Sequence, residues 1–313
     1  MSIYTRGETY VHRLLITDRN GNPAYPSDCT FYLYDSCGSL LNTGGTSMAT
    51  STGDNYFQCT YNISSTMRYG EYTIKVVATD SDGVIAQFDD VLYIFPWNIV
   101  HDVRRLSGIK TRKSISDHDI SAIIWEAYNE ALDDVYEYFA NDVPNCNPDT
   151  GEWFNGTNTT FETQNGPIAD KDGDGIVAGY GEQSCGTDID GWWKDSDGDC
   201  HRLKITVNDA HCGNITITQL DGTAIPSDAE WVRINYWIEY ETYNERMFRF
   251  AVAYLAAYKC IEAFKSLDKA TAADLDSNRQ DIYLNKNRME KEYKKTIKKI
   301  KKPLIGSGML PGK

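Results

Sequence analysis

Residues 96–139 read PWNIVHDVRRLSGIKTRKSISDHDISAIIWEAYNEALDDVYEYF, and their spacing divides the rest of the chain. Asn98 offers an N-cap, Ile99, Val103 and Leu106 fall on one face, and Gly108 supplies a stop, which predicts a short helix. A basic loop with Lys110, Arg112 and Lys113 follows. Ser116 to Asp119 then offers a second cap, and Ile120, Ile123, Ile124, Ala127, Ala131, Val135 and Tyr138 recur at helical intervals. The second helix is expected to run to about Phe139, with Pro144 closing it.

Before Pro96 the period is different. Runs such as Val11–Ile16, Phe31–Tyr34, Tyr56–Tyr61, Tyr72–Val77 and Val91–Ile94 are aromatic and β-branched. Turn residues separate them, at Asp18–Pro23 and Asp80–Gly83. Short strands at this spacing predict an antiparallel β-sandwich of immunoglobulin-like type over residues 1–95.

After residue 141 the helical pattern breaks. Residues 142–225 are rich in Gly, Asn, Asp and Thr, with strand-like pieces at Leu203–Val207 and Ile215–Thr218. Pro226, Ser227 and Glu230 read as a capping box, so a long helix is expected from Trp231 through Leu267. Its Ala251, Ala253, Ala256, Ala257 and Ala263 permit close helix packing. Ser277 to Gln280 starts a last helix with Ile282, Met289, Tyr293, Ile297 and Ile300 on one stripe, ended by Pro303. The fold class read from this is multidomain α+β: a sandwich, then a helical module (96–141 and 226–302) interrupted by an acidic loop-rich insert (142–225), then a flexible tail (303–313).

Charge follows these divisions. Of the net −14 over 313 residues, the stretch 142–226 has 4 basic and 15 acidic groups, net −11. From Arg279 onward there are 11 basic and 3 acidic residues, net +8. The acidity is therefore local, and the C-terminal end is basic. No run approaches the ~18 apolar residues of a membrane span, and the first residues, MSIYTR, lack the apolar core of a signal peptide. Nothing in the sequence sends this chain through a membrane, and no membrane partner is expected.

The helical segments Val103–Gly108, Ser116–Ile120 leading into Ile123–Ala127, Ala251–Lys259 and the Lys-rich helix to Pro303 together resemble the head–tail connector (adaptor) family of tailed viruses. The resemblance is one of element order and pattern over roughly 125 of the 313 residues, and no single motif in it is diagnostic. The sandwich in front and the insert between helices depart from the compact family member. The resemblance implies a homo-oligomeric ring, commonly of twelve copies, under the portal protein at the capsid vertex of the virion. Viral DNA would cross its lumen without sequence specificity, and a neck or tail-completion protein would dock below. Lys294, Lys295, Lys298 and Lys299, with Leu304, Ile305, Met309 and Leu310 of the tail, are the expected partner-binding residues.

The sharpest local signal is Asp170-Lys171-Asp172-Gly173-Asp174-Gly175. Alternate carboxylates followed by Gly match the first half of a calcium loop, because their oxygens converge on one hard cation. Glu182 lies one place beyond the position of the expected bidentate acid. A solvated acidic loop is the alternative. Asp188, Asp190, Asp195, Asp197 and Asp199 form a second, poorer cluster. Cys200-His201, His211-Cys212, Cys146 and Cys185 lack the usual short zinc spacings, so zinc, disulfides and free thiols all stay open. Trp192-Trp193 and Trp153-Phe154 are candidates for a sugar platform or for core. They carry the competing reading, a calcium-dependent surface-binding or adhesin module recognising carbohydrate. No nucleophile elbow or phosphate loop accompanies the five histidines, and no enzyme is predicted.

Overall fold

The computed structural model describes residues 3–17, 20, 24, 26–50, 56–80, 83–109, 115–146, 151, 153–182, 186–240, 243–267 and 279–301. The chain divides into two units, Met1–His101 with Ile115–Trp125, and Asp102–Ser114 with Glu126–Lys313.

In the first unit, β1 (Thr9–Leu14), β5 (Phe57–Asn62) and β4 (Ala49–Thr50) form one antiparallel sheet in the order β1-β5-β4. The other sheet runs β3-β2-β6-β7, from β3 (Thr46–Ser47), β2 (Asp28–Tyr34), β6 (Gly70–Asp80) and β7 (Gly83–Ile94). Alternation sets the inner faces: Cys29, Phe31 and Leu33 of β2 and Tyr72, Ile74, Val76 and Ala78 of β6 meet Tyr10, Phe57 and Cys59 of the other sheet. This is the expected sandwich. Of the expected turns, Asp18–Pro23 lies mostly outside the described residues, as do Ser81 and Asp82. Phe95 packs edge-on against Trp125, at 5.4 Å between ring centroids.

Helix α1 (Val100–Ser107) ends at Gly108, whose φ of +79° is the left-handed stop that the sequence predicts. Helix α2 (Asp117–Val135) opens on a reciprocal cap: the Asp119 N–H donates to Ser116 Oγ, and the Ser116 N–H donates to Asp119 Oδ2. That cap holds the Asp119 carboxyl below its ordinary pKa. The helix stops at Val135, short of Phe139. Glu137–Asp142 is instead a strand, β8, paired with residues 234–238.

The second correction is larger. Trp231–Ile238 is not the start of a helix but strand β14. Val232, Ile234 and Tyr236 are buried at every second position, and a helix would spread them over different faces. Fully burying side chains of this size contributes ~1.5–3 kcal/mol each, more than a four-residue capping signal at Ser227 supplies. Helix α3 (Glu245–Leu267) starts later, with Asn244 Oδ1 accepting the Met247 N–H.

The insert is accordingly a β-domain rather than a loop-rich segment. One sheet runs β11-β10-β14-β8, with β10 (Ile189–Lys194) and β11 (Cys200–Arg202). The other runs β12-β13-β9, with β12 (Lys204–Asp209), β13 (Asn214–Thr218) and β9 (Thr160–Glu162). Their facing residues, among them Phe161, Ile189, Trp193, Ile205, Ile215, Ile217, Ile234 and Tyr236, make a separate core.

Helices complete the second unit. Helix α4 (Arg279–Ile300) packs on α3, where Lys286 reaches Glu262 at 2.5 Å. Lys259 of α3 bridges Glu126 and Glu130 of α2, each at 2.7 Å, and Tyr293 of α4 donates to Asp134 at 2.5 Å. The residues chosen for close packing, Ala251, Ala253, Ala256 and Ala257, are buried. No helix among the described residues is long and apolar enough to cross a membrane.

Candidate cation site and partner surface

Asp170, Asp172 and Asp174 come together as the sequence predicts, with one carboxylate oxygen from each within 4.8 Å of the others. The turn that gathers them is held from within. The Asp174 N–H is shared between Asp170 Oδ1 and Asp172 Oδ1, each at 3.1 Å, and the Gly175 N–H donates to Asp170 Oδ2 at 2.6 Å. Gly173 and Gly175 take φ of +68° and +85°, which suits glycine. At Gly173 there is a second reason, since a Cβ would stand 2.4 Å from Tyr128 and 2.6 Å from Leu132 of α2. The Tyr128 hydroxyl donates to the Gly173 carbonyl at 3.2 Å, so the loop is seated on that helix.

Glu182 is not part of the group. Its Oε2 accepts the N–H groups of Gly179 at 3.2 Å and Val207 at 3.1 Å, which ties the end of the loop to β12. The acid that closes the loop is Asp188, at the entrance to β10. Its two oxygens accept the Lys171 N–H at 2.6 Å and the Ala178 N–H at 2.8 Å, clamping both ends of the turn. Asp188 is visible in the sequence only as a member of the poorer cluster. Its burial follows from the alternation Ile189, Gly191, Trp193, which draws the start of β10 inward.

Burial and mutual repulsion leave Asp170 and Asp188 reluctant to ionise. Asp170 is raised well above the carboxylate range, first by desolvation and then by the charges of Asp188, Asp172 and Asp174. Desolvation pushes Asp188 up to about 7 against its backbone hydrogen bonds. Lys171, within the loop, turns its ammonium to Asp133 and to the Trp237 ring, 4.7 Å from its centroid.

The other candidates disperse. Asp195 accepts the N–H groups of Asp197 and Asp199 and pairs with His201 Nε2 at 2.8 Å, so it shapes the β10–β11 turn. Cys146, Cys200 and Cys212 are free thiols, which removes a pair of disulfides within the insert, and Cys185 lies outside the described residues. Among the described residues no Cys/His group gathers as a metal site. Trp192 and Trp193 point to opposite faces of β10, and Trp193 is core, so the two do not form one platform.

On α4, Met289, Tyr293, Ile297 and Ile300 are buried, while Lys294, Lys295, Lys298 and Lys299 are exposed. Glu290 holds Lys294 at 2.6 Å and Glu292 reaches Lys295 at 3.5 Å. Lys298 and Lys299 have no acidic partner among the described residues. Leu304, Ile305, Met309 and Leu310 lie outside those residues.

No family model matches this chain, and no curated protein matches it. Among solved structures it is similar to the Lin-41 filamin domain, at 16% identity and TM-score 0.23, over 31% of this chain and 85% of that one. A tetra-tandem repeat in the extending region of a large adhesion protein is similar at 12% identity and TM-score 0.26, over 71% of this chain and 42% of that one. Trypsin-activated alpha-2-macroglobulin from Escherichia coli is similar at 11% identity and TM-score 0.25, over 76% of this chain and 15% of that one. Likeness at this level assigns no function to the chain.

Proposed function

We propose that the protein is a non-catalytic structural subunit of a tailed-virus neck, a head–tail connector whose helical module closes into a ring. The observation that carries this reading is the pairing of β8 with β14. Glu137, two residues after α2, stands opposite Ile238, seven residues before α3. The β-domain therefore leaves and re-enters the helical module at one place, as an insertion does. With it set aside, α1, α2, α3 and α4 follow one another in the order of the connector pattern, with the alanine-rich α3 buried and the basic α4 outside it. A heterologous interface between such modules closes into a ring, of twelve copies by the resemblance. In this reading the portal protein receives the basic helix and the tail, a neck or tail-completion protein docks below, and viral DNA passes through the lumen.

Within the insert, the Asp170–Asp174 loop holds calcium. Three convergent carboxylates in a glycine turn, with Asp174 buried and Asp170 raised by burial and by its acidic neighbours, support this local role. The ion offsets the self-repulsion of a segment with net −11 and orders the loop on α2.

Attachment to portal-bearing capsids tests the proposal. Purified protein should occupy the portal vertex, and the combined substitution Lys294→Glu, Lys295→Glu, Lys298→Glu and Lys299→Glu should weaken attachment. Wild-type attachment should also fall as salt rises. Binding spread over the capsid surface, or unaffected by the four charge reversals, would contradict it.

A further inference from the structure

A groove of ≈ 340 Å³ opens beside the first residues of β14. Trp153 and Phe154, from the loop before β9, form one side, and Trp231 and Arg233, from the outward positions of β14, form the other. Phe154 is anchored: its ring stacks on buried Phe161 with centroids 4.1 Å apart. That anchor fixes its neighbour, yet Trp153 itself stays 52% exposed, an expensive way to leave an indole unless something covers it.

The electrostatics of the groove are unusual for this domain. Glu230, the acid on its wall, is already neutralised by Lys194 at 2.5 Å. Arg233 has neither an ion pair nor a side-chain hydrogen bond among the described residues. A guanidinium with free donors thus sits beside Trp231 and across the groove from Trp153, in a β-domain (residues 137–238) with 5 basic and 18 acidic groups, net −13. Flat indole faces accept the C–H faces of sugar rings, and a guanidinium grips a carboxylate with two parallel hydrogen bonds. A phosphate at every unit, as in nucleic acid, would meet the acidic surroundings with one cation, Arg233, among the described lining residues to offset it. A sugar chain with carboxylates on only some units meets far less repulsion. The volume is at the small end of ligand clefts and suits a short stretch of such a chain.

We infer that this groove binds an acidic glycan, with Trp153 and Trp231 stacking on its sugar rings and Arg233 taking a uronate carboxylate. The site is independent of the ring and of the calcium loop.

The test is calorimetric titration of the full chain with three uronate-containing oligosaccharides, from hyaluronan, alginate and polygalacturonate. A neutral chitin oligosaccharide and single-stranded oligo-dT serve as controls. At least one acidic glycan should bind with Kd below about 1 mM. Arg233→Gln and Trp153→Ala should each weaken that binding about tenfold or more, and Trp153→Phe should restore part of it. The neutral oligosaccharide should bind more weakly and be indifferent to Arg233→Gln. Circular dichroism and an unchanged melting curve establish that the variants are folded. Failure of all three acidic glycans, equal binding by the variants, or tighter oligo-dT binding that the same substitutions abolish would each overturn the inference.

Discussion

Asp170, Asp172 and Asp174 were legible as a group because their spacing is local: alternate residues of one turn must converge, whatever the fold around them. The closing acid was not. Glu182 has the right distance along the chain, but its carboxylate is spent on the N–H groups of Gly179 and Val207; Asp188, which enters through a strand, closes the turn by accepting the N–H groups of Lys171 and Ala178 and is not one of the three gathered carboxylates. Calcium should raise the unfolding temperature of the protein and protect the insert from proteolysis, and chelation should reverse both. Asp172→Asn should lower calcium affinity about tenfold or more by titration calorimetry; equal protection with chelator and with calcium would argue against the site. His12 gives a different residue-scale prediction. It is buried in the sandwich, with Nδ1 2.6 Å from the Tyr10 hydroxyl, and desolvation lowers its pKa although Asp90 acts in the opposite direction. Below the ordinary value of 6.5 the unfolded chain takes up a proton that the folded chain resists. Stability is therefore present above that pH and is lost as the pH falls through it, by at most ~1.4 kcal/mol per pH unit for one group. Denaturant titrations between pH 7.5 and 5.5 should show this loss in wild type relative to His12→Gln, a comparison in which the opposite contribution of the raised Asp170 and Asp188 cancels.

At the scale of elements, the sandwich strands and three of the four helices could be read because each carries its own period. The two errors share a cause. Tyr138 continues the helical spacing of α2, and β8 is mostly exposed, so nothing in its residues marks a strand. What makes it one is β14, almost a hundred residues later. In β14 the alternation Val232, Ile234, Tyr236 was present, but the Ser227–Glu230 capping pattern competed with it, and its partner β10 lies some forty residues upstream. Gly191 shows how tightly the pair is fitted: a Cβ there would stand 2.4 Å from the Arg233 carbonyl oxygen. Gly191→Ala should destabilise the β-domain by roughly 1–3 kcal/mol, visible as a lower melting temperature. The opposed ends also allow the insert to be removed. Paired residues such as Glu137 and Ile238 are about 5 Å apart, so a Gly-Ser linker of about three residues should replace 137–238. The shortened protein should keep the helical dichroism of α2, α3 and α4, at some cost from uncovering Tyr128 and Leu132. Loss of helix would mean that the β-domain is a structural part of the helical module and no insertion.

At the scale of the molecule, the composition and charge blocks marked the sandwich and the acidic insert but not the insert's ends, since its β-domain extends to Glu137 and Ile238, and assembly is a property of surfaces that periodicity does not report. The central claim is that the helical module supplies the contacts between copies. Deleting residues 1–95 should then leave assembly intact, and charge reversal on α4 should affect docking without dispersing the ring. The most direct measurement is native mass spectrometry of the purified 313-residue chain, alone and mixed with portal protein. The account predicts a closed ring, a fixed multiple of the 35.4 kDa subunit. A monomeric mass in both samples would contradict it.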